Sequence, residues 1–315
     1  MSKILLSICI PTYNRVEYLE KTILSIVNQK LFQDTTEIEI IISDNCSTDN
    51  TQEISNKYIE IYGDKIRYYR NSENILDLNF EKALSYGSGV FLKLNNDTLL
   101  HQNNTLDVIT DKIKINIENK DIIFFSNSSL KNTTEIYCKD LDSYVKTVSY
   151  YSTWVACFGI WKEDFDSIRD FSRKVKLGLV QTDVLLRLIF SGKSVWVYNT
   201  KIFTSLSPKT KGGYNIYHVF VTNYLRLLEE YRDKKRLSRF TLFTEKSRLL
   251  IHFIIPWTIT IQMNKKQFSF DKKGAFSIIF KKYFFHPILY FGIVYLIFRL
   301  LQFYIKKTFR KYIIA

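Results

Sequence analysis

The chain has 315 residues, of which 46% are hydrophobic and 24% are charged. This composition supports a sizeable buried core and excludes wholesale disorder, and the scarcity of glycine (10) and proline (4) excludes a fibrous or loop-rich protein. The 4 cysteines are widely spaced and form no Cys-x-x-Cys or Cys/His cluster, so neither a zinc site nor a disulfide framework is predicted.

The net charge of +14 is unevenly distributed along the chain. Residues 1–230 carry 27 Lys and Arg against 28 Asp and Glu, whereas residues 231–315 carry 18 against 3. A genome biased towards lysine would raise the charge of both parts, so this segregation indicates two regions with different surroundings. We therefore expect a folded domain over residues 1–230 and a separate basic segment over residues 231–315.

The N-terminus predicts a buried strand. It has a single lysine and a short apolar stretch, and it lacks the longer apolar region and the small-residue cleavage site of a signal peptide. Leu5–Ile10 is therefore predicted to be the first strand, and Pro11, which cannot donate to a ladder, is predicted to end it. We expect the domain that follows to stay in the cytoplasm.

Strand and helix patterns then alternate over the first hundred residues. Short apolar runs predict strands, and apolar residues at helical spacing predict helices. In chain order these are the helix Val16–Gln29, the strand Glu37–Ser43, a helix capped by Ser47 or Thr48 that runs through Tyr58, the strand Ile66–Arg70, the helix Asn79–Ser88 and the strand Val90–Leu94. The order predicts an α/β fold with a mostly parallel sheet flanked by helices, and ligands bind such sheets beyond the C-terminal strand ends.

Polar residues follow the first two predicted strands. A carboxylate or carboxamide at a strand end can accept a hydrogen bond from a nucleotide base, and the ring of Tyr13 can pack on that base. An aspartate after a strand is more often a cap or turn residue, but two such clusters on adjacent strands favour a nucleotide pocket. The predicted nucleotide-binding residues are Pro11, Tyr13, Asn14, Arg15, Asp44, Asn45 and Asn96.

The fourth strand runs into Asn95-Asn96-Asp97. A hard divalent cation takes oxygen ligands, commonly one or two carboxylates together with phosphate oxygens and water. Asp97 can supply the charge, and Asn95, two residues away on the same side of an extended segment, can add a carbonyl oxygen. A polar turn that closes the strand is the alternative. Because the cluster has one negative charge where two would be expected, we predict a weak site for Mn²⁺ or Mg²⁺.

A third carboxylate, Asp183, opens a helix predicted over Val184–Phe190. There the helix dipole stabilises the ionised form, which suits a general base that must start ionised. Helix capping is the alternative role.

These pieces, in this order, resemble glycosyltransferase family 2, whose fold is GT-A. The resemblance is dense over residues 4–100 and thin beyond them. Its motifs here are Pro-Thr-Tyr-Asn-Arg from Pro11, the helix pattern from Leu19 to Gln29, the loop from Asp44 to Thr51, Asn74 and Asn79 before the next helix, Asn95-Asn96-Asp97 at the position of the metal-binding Asp-x-Asp, and Thr182-Asp183-Val184-Leu185-Leu186-Arg187.

The resemblance implies a role for each cluster. Asp44 with Asn45 would meet the base, Asp97 the metal, and Asp183 would be the general base. The implied activity is inverting transfer of a sugar from a nucleotide-diphosphate donor to a glycan or lipid-linked glycan, in lipopolysaccharide, capsule or other cell-surface polysaccharide biosynthesis. Asn95 and Thr182 depart from the family pattern, in which Asp and Glu stand there. These departures keep open a catalytically silent nucleotide-sugar binder or a scaffold protein as the alternative.

The C-terminal segment combines long apolar runs with lysines and arginines. Tyr283–Ile305 is nearly continuous apolar and aromatic sequence, long enough to span a bilayer but interrupted by Arg299. Aromatic residues interleaved with cations suit an anionic cytoplasmic leaflet. We expect a helical membrane-associating segment at the cytoplasmic face of the inner membrane, with a single span or an oligomerisation helix as alternatives. A nucleic-acid site is less consistent with these apolar runs.

Overall fold

A computed structural model of the chain describes residues 3–131, 133–208, 211–263 and 268–313. The chain divides into two compact units, Met1–Pro208 and Lys209–Ala315. The boundary expected at residue 230 falls inside the second unit, within the helix Leu225–Asp233. The basic character of the C-terminal segment therefore begins part-way through this unit.

The first unit alternates strands and helices as the sequence predicts. Its strands are β1 (Leu6–Thr12), β2 (Ile38–Asp44), β3 (Ile66–Arg70), β4 (Phe91–Leu94), β5 (Leu99–His101), β6 (Ile122–Phe125), β7 (Glu135–Cys138), β8 (Gly159–Trp161), β9 (Val195–Tyr198) and β10 (Phe203–Ser205). Its α-helices are α1 (Val16–Val27), α2 (Lys30–Asp34), α3 (Thr51–Tyr62), α4 (Leu78–Ser85), α5 (Thr105–Asn116), α6 (Leu141–Val148), α7 (Lys162–Ser167) and α8 (Val180–Phe190).

The main sheet has the strand order β3-β2-β1-β4-β8. The first four strands are parallel and β8 is antiparallel to β4, so the predicted mostly parallel sheet is confirmed. Every residue of β2 and β4 is buried, so both strands are mainly apolar, and their polar side chains Glu39, Ser43, Asp44 and Lys93 are buried as well. Two smaller sheets, β10-β5 and β6-β9-β7, complete the unit.

Two local expectations are wrong. Pro11 does not end β1, which continues to Thr12 with Pro11 opposite Ser43 of β2. The other neighbour, β4, pairs with β1 only as far as Cys9 opposite Leu94, so the missing N–H of Pro11 breaks no ladder there. The helix α3 is capped at Asn50, not at Ser47 or Thr48, whose polar groups hold the β1–α1 loop instead.

The second unit is mainly helical. Its strands β11 (Lys211–Asn215) and β12 (Phe268–Asp271) pair in parallel, and its α-helices are α9 (Leu225–Asp233), α10 (Arg239–Arg248), α11 (Ile255–Met263), α12 (Ala275–Tyr283) and α13 (Ile288–Ile313), with π-helical turns before α9 and α11. Glu229 of α9 forms ion pairs with Lys246 and Lys282, at 3.3 and 2.6 Å. Within the described part of the chain, no helix combines the length and apolar content needed to cross a bilayer.

Candidate active site

Backbone hydrogen bonds bring the C-terminal ends of four parallel strands side by side. The N–H of Asn45 donates to the carbonyl oxygen of Thr12 (2.9 Å), and the N–H of Asn71 donates to that of Asp44 (2.9 Å). On the other side of β1, the N–H of Asn95 donates to Cys9 (2.8 Å). The polar clusters predicted after β1, β2 and β4 therefore lie at one edge of the sheet.

The loop after β1 is shaped by the loop after β2. Asn14 has a positive φ of 50°, which asparagine tolerates better than most residues. Its N–H donates to Ser47 Oγ (2.9 Å) and its Oδ1 accepts from the N–H of Thr48 (2.7 Å). Asn14, predicted to bind nucleotide, is thus committed to holding the loop that carries Tyr13 and Arg15.

Asp44 is completely buried at the end of β2. Tyr68 Oη donates to Asp44 Oδ2 (2.6 Å), and the N–H of Ser47 donates to Oδ1 (2.9 Å). Burial raises the pKa of Tyr68, and its hydrogen bond to the Asp44 carboxylate raises it further, so the phenol is a fixed donor. Tyr68 is absent from the predicted site residues, although its position near the end of β3, beside β2, is a usable signal.

Asn45 lies at the centre of an amide network. Its Nδ2 donates to Asn74 Oδ1 (2.7 Å), while its Oδ1 accepts from Asn71 Nδ2 (3.1 Å) and from the N–H of Ile75 (2.9 Å). This network joins the second predicted cluster to the segment after β3. Asn45 is therefore a structural residue in the wall of the predicted nucleotide pocket, since its oxygen and its amide group are both used within the protein.

Tyr13 and Arg15 present polar and aromatic surface at this edge. Tyr13 is 42% exposed and the Arg15 side chain is 45% exposed, whereas Pro11 and Asn96 are half-buried. Among the described residues, no donor reaches Oδ1 of Asn96, although this atom is buried. These side chains remain available to a ligand, in contrast to Asn14, Asp44 and Asn45.

Asp97 is buried, and each of its carboxylate oxygens has a hydrogen-bond partner. Thr12 Oγ1 donates to Oδ2 (3.0 Å), and Arg15 Nη1 lies 3.1 Å from Oδ1. The main-chain oxygen of Asp97 accepts from Thr22 Oγ1 of α1 (2.9 Å). Burial raises the pKa of Asp97, and the nearby Arg15 guanidinium opposes that shift.

The donor set at Asn95-Asn96-Asp97 does not fit a divalent cation. Asn95 is fully buried, with Oδ1 2.9 Å from His101 Nε2 and Nδ2 donating to the carbonyl oxygen of Asn96. The predicted ligand oxygen of Asn95 is therefore paired with His101 instead. Asp97 is the single carboxylate and is already paired with a guanidinium. Within the described ranges, no three acidic, histidine or cysteine side chains gather as a metal site.

Asp183 lies in the first turn of α8 and is completely buried. The helix begins after Leu179, so the capping role considered for Asp183 is wrong. Arg173 donates two hydrogen bonds to the carboxylate, from Nε to Oδ2 (2.9 Å) and from Nη2 to Oδ1 (2.8 Å). Arg187 Nε, one turn further along α8, lies 3.1 Å from Oδ2. Arg173 is absent from the predicted site residues, because no sequence motif marks it.

The start of α8 is tied to the segment that leads into β8. Thr182 Oγ1 donates to the carbonyl oxygen of Ser152 (3.2 Å), and Gln181 Nε2 donates to that of Thr153 (2.7 Å). A few residues later, the carbonyl oxygen of Phe158 accepts from the N–H of Leu94, the last residue of β4. This short connection links the helix of Asp183 to β4, the strand that Asp97 follows.

Known proteins resemble part of this chain in sequence. Residues 7–98 match the family described as glycosyl transferase family 2. The chain is 49% identical over 86 residues to the abequosyltransferase RfbV of Salmonella typhimurium, covering 27% of this chain and 25% of that protein. It is 36% identical over 94 residues to the GalNAc(5)-diNAcBac-PP-undecaprenol beta-1,3-glucosyltransferase of Campylobacter jejuni, covering 29% of each. The chain thus spans only a quarter to a third of these curated relatives.

Two solved structures share the fold over most of the chain. S. aureus TarS 1-349 in complex with UDP-GlcNAc superposes with a TM-score of 0.54 at 16% identity, over 80% of this chain and 72% of that one. The mannosyltransferase PcManGT from Pyrobaculum calidifontis, in complex with GDP-Man and Mn²⁺, gives 0.53 at 14% identity, over 94% and 86%. Residues 7–98 are similar to glycosyltransferase family 2, and the chain has the GT-A fold predicted from its sequence.

Proposed function

We propose that the chain is an inverting glycosyltransferase that moves a sugar from a nucleotide-diphosphate donor to a glycan or lipid-linked glycan in cell-surface polysaccharide biosynthesis. The observation that carries the proposal is the convergence of Tyr13, Arg15 and Asp97 at one sheet edge, inside the segment that matches the family. The names of the curated relatives, an abequosyltransferase and a glucosyltransferase of an undecaprenol-linked acceptor, support the reaction class and the acceptor class.

Each side chain takes a role that its surroundings permit. Tyr13 packs on the nucleotide base, because its ring is exposed beside the rigid wall built by Asp44 and Asn45. Asp183 accepts the proton of the acceptor hydroxyl while the anomeric centre inverts. A general base must offer a lone pair, so this role requires Arg173, whose side chain is 37% exposed, to turn aside when the acceptor binds.

The test is a transfer assay with the full chain and a panel of UDP-, GDP-, CDP- and dTDP-sugars, with undecaprenyl-diphosphate-linked sugars as acceptors. We expect release of the nucleoside diphosphate to match the formation of a glycosylated lipid. Replacement of Asp183 by Asn should abolish transfer and spare nucleotide binding. Failure of every donor to bind or react would exclude the proposal.

A binding protein without turnover is the second candidate, and one observation favours it. The carboxylate of Asp183 is fully buried and satisfied by two guanidinium groups, as in a structural ion-pair cluster. This candidate predicts that nucleoside diphosphates raise the melting temperature while no donor is consumed. The same panel therefore distinguishes the two candidates, because binding is measured separately from turnover.

We further propose that the second unit attaches to an anionic membrane surface at the cytoplasmic side. The helices α12 and α13 and the turn between them expose many large apolar side chains, which are Phe276, Phe280, Phe284, Phe285, Tyr290, Phe291, Ile293, Val294, Ile297, Phe298, Leu301 and Ile305. Exposed lysines stand beside them at Lys272, Lys273 and Lys281. Apolar side chains flanked by cations are the pattern of interfacial helices.

Vesicle co-sedimentation of the full chain tests this attachment. We expect binding to vesicles that contain phosphatidylglycerol, weaker binding to vesicles of phosphatidylcholine alone, and partial loss at high salt, because cations near a surface contribute roughly 1 kcal/mol each. Binding to neither vesicle would exclude membrane attachment. Tight, steeply salt-dependent binding to DNA in its place would support the nucleic-acid alternative.

A further inference from the structure

We infer that Arg15 supplies the positive charge that neutralises the donor's diphosphate, in the place where a divalent cation would otherwise act. This inference rests on the proposed function, and it assigns to one side chain the charge of the donor site. Arg15 Nη1 lies 3.1 Å from Oδ1 of Asp97, the residue at the position of a metal-binding carboxylate.

The oxygens that a cation would need already have partners. Both carboxylate oxygens of Asp97 have donors within 3.1 Å, and the side-chain oxygen of Asn95 is turned to His101. A metal ion would have to share the Asp97 oxygens with the Thr12 hydroxyl and to move the guanidinium, whose positive charge repels it, or to turn Asn95 away from His101. A guanidinium at the same carboxylate needs none of these changes and still offers N–H groups to phosphate oxygens.

Charge balance points the same way. A divalent ion between two carboxylates leaves the empty donor site neutral. Here Asn95 replaces one of the two expected carboxylates, which removes one negative charge, and a single guanidinium beside Asp97 restores neutrality. A dication added beside Asp97 and Arg15 would leave two uncompensated positive charges before the donor arrives.

Arg15 is also placed to meet a diphosphate. Its side chain is 45% exposed, while its partner Asp97 is only 5% exposed, so the guanidinium faces outward from an anchored carboxylate. The loop that positions it is fixed by the two hydrogen bonds of Asn14 to Ser47 and Thr48. Arginine binds phosphate oxygens through two parallel hydrogen bonds, which a diphosphate can accept while one N–H stays on Asp97.

The test is calorimetric binding of UDP and GDP to the full chain, first in excess EDTA and then with Mn²⁺ or Mg²⁺. Whichever of UDP and GDP binds more tightly should have an affinity in EDTA within about threefold of its affinity in Mn²⁺, since no cation has to bridge the diphosphate and the protein. Arg15→Gln should weaken binding in EDTA by at least about tenfold, the loss of one charge-assisted pair, and Arg15→Lys should recover part of it. The matched control is Lys57→Gln on α3, which removes a cation from the ion pair with Glu20 of α1.

The outcomes separate this inference from the proposed function. Nucleotide binding that appears only with a divalent ion, or an Arg15→Gln variant that binds as the native chain does, would overturn the role of Arg15 and leave the transferase intact. No binding of any nucleoside diphosphate under either condition would overturn both. An equal loss in Lys57→Gln would show a general charge effect and would also overturn the role of Arg15.

Discussion

The carboxylate of Asp183 and the guanidinium of Arg173 form a two-point ion pair, with both nitrogen–oxygen distances below 3 Å, although Asp183 has no exposed surface. Such a pair fixes the orientation of the carboxylate, but it also covers lone pairs that an acceptor hydroxyl needs. The proposed base is thus locked in the free protein, and its use in transfer requires Arg173 to move.

Replacement of Asp183 by Asn should therefore change both turnover and stability. We expect transfer to fall by about 100-fold or more, because the proton acceptor is lost, and unfolding free energy to fall by about 1–3 kcal/mol, because two guanidinium groups lose their partner. The control is Asp164→Asn on α7, which breaks the 2.6 Å ion pair with Lys193. If both variants lose stability and turnover in the same proportion, Asp183 is structural and not a base.

Tyr13 should contribute to nucleotide affinity without contributing to stability. Its ring is largely exposed at the sheet edge, so removing it opens no cavity in the core. We expect Tyr13→Ala to weaken UDP or GDP binding by about tenfold, within the range of roughly 1–3 kcal/mol found for base stacking on aromatic rings. Tyr137→Ala, on the exposed strand β7, is the matched control. If Tyr13→Ala binds nucleotide as tightly as the native chain does, the nucleotide base does not stack on Tyr13.

The position of the site could be predicted because it follows from strand order. Buried apolar runs alternate with amphipathic helices, and that alternation forces parallel strands whose C-terminal ends meet. Strand order alone therefore predicts that Tyr13, Asp44, Asn45 and Asp97 lie at one edge.

The side-chain pairing within the site could not be predicted, because it joins residues that are distant in sequence. Arg15 and Asp97 are separated by 82 positions. Arg173, which closes on Asp183, precedes it on an irregular segment with no periodic pattern. The sequence Asn-Asn-Asp suggests that Asn95 is a metal ligand, but the position of His101 decides where the side-chain oxygen of Asn95 points. Local pattern thus locates the cleft, and tertiary contacts decide which of its atoms are free.

Substituting Asn95 and Arg15 together should create a metal site. The double variant Asn95→Asp, Arg15→Gln restores two carboxylate positions and removes the competing guanidinium beside Asp97. We expect it to bind Mn²⁺ at least about tenfold more tightly than the native chain, because carboxylates dominate the affinity of hard cations. Titration of free Mn²⁺ by electron paramagnetic resonance measures this without turnover. Equal affinities in the two proteins would show that the buried position of residue 95 prevents ligation whatever its charge.

The exposed apolar face of α13 should carry most of the membrane affinity. Phe291, Val294 and Phe298 repeat at helical spacing and are each more than half exposed. Replacing all three by Ser removes about 3 kcal/mol of apolar burial in a bilayer interface, which corresponds to about a 100-fold loss of vesicle binding. Ser replacements at Ile61 and Ile115, equally exposed in the first unit, are the control. Similar losses in both variants would mean that the surface of the second unit has no special role.

Lys93 should make the stability of the first unit depend on pH. It is fully buried on β4, with Nζ donating to the carbonyl oxygens of Leu94 (2.9 Å) and Ala156 and lying 5.2 Å from the ring centre of Phe203. Burial lowers the pKa of Lys93 from 10.5 to about 7. Between these values the unfolded chain binds a proton that the folded chain does not. Folding therefore gains stability as the pH rises, by up to about 1.4 kcal/mol per unit.

Urea unfolding of Lys93→Met at pH 7, 8, 9 and 10 checks this. At pH 7 the variant should be more stable than the native chain by about 1–3 kcal/mol. It no longer has the cost of burying the Lys93 amine, and this gain is partly offset because two carbonyl oxygens lose their hydrogen-bond donor. The advantage should shrink with each unit of pH and reverse near pH 10. Lys112→Met, whose ammonium lies 4.5 Å from the Tyr198 ring centre but remains partly exposed, should differ from the native chain by a constant amount. A constant difference for Lys93→Met as well would show that Lys93 stays charged in the folded protein, held by its two carbonyl partners and the neighbouring ring.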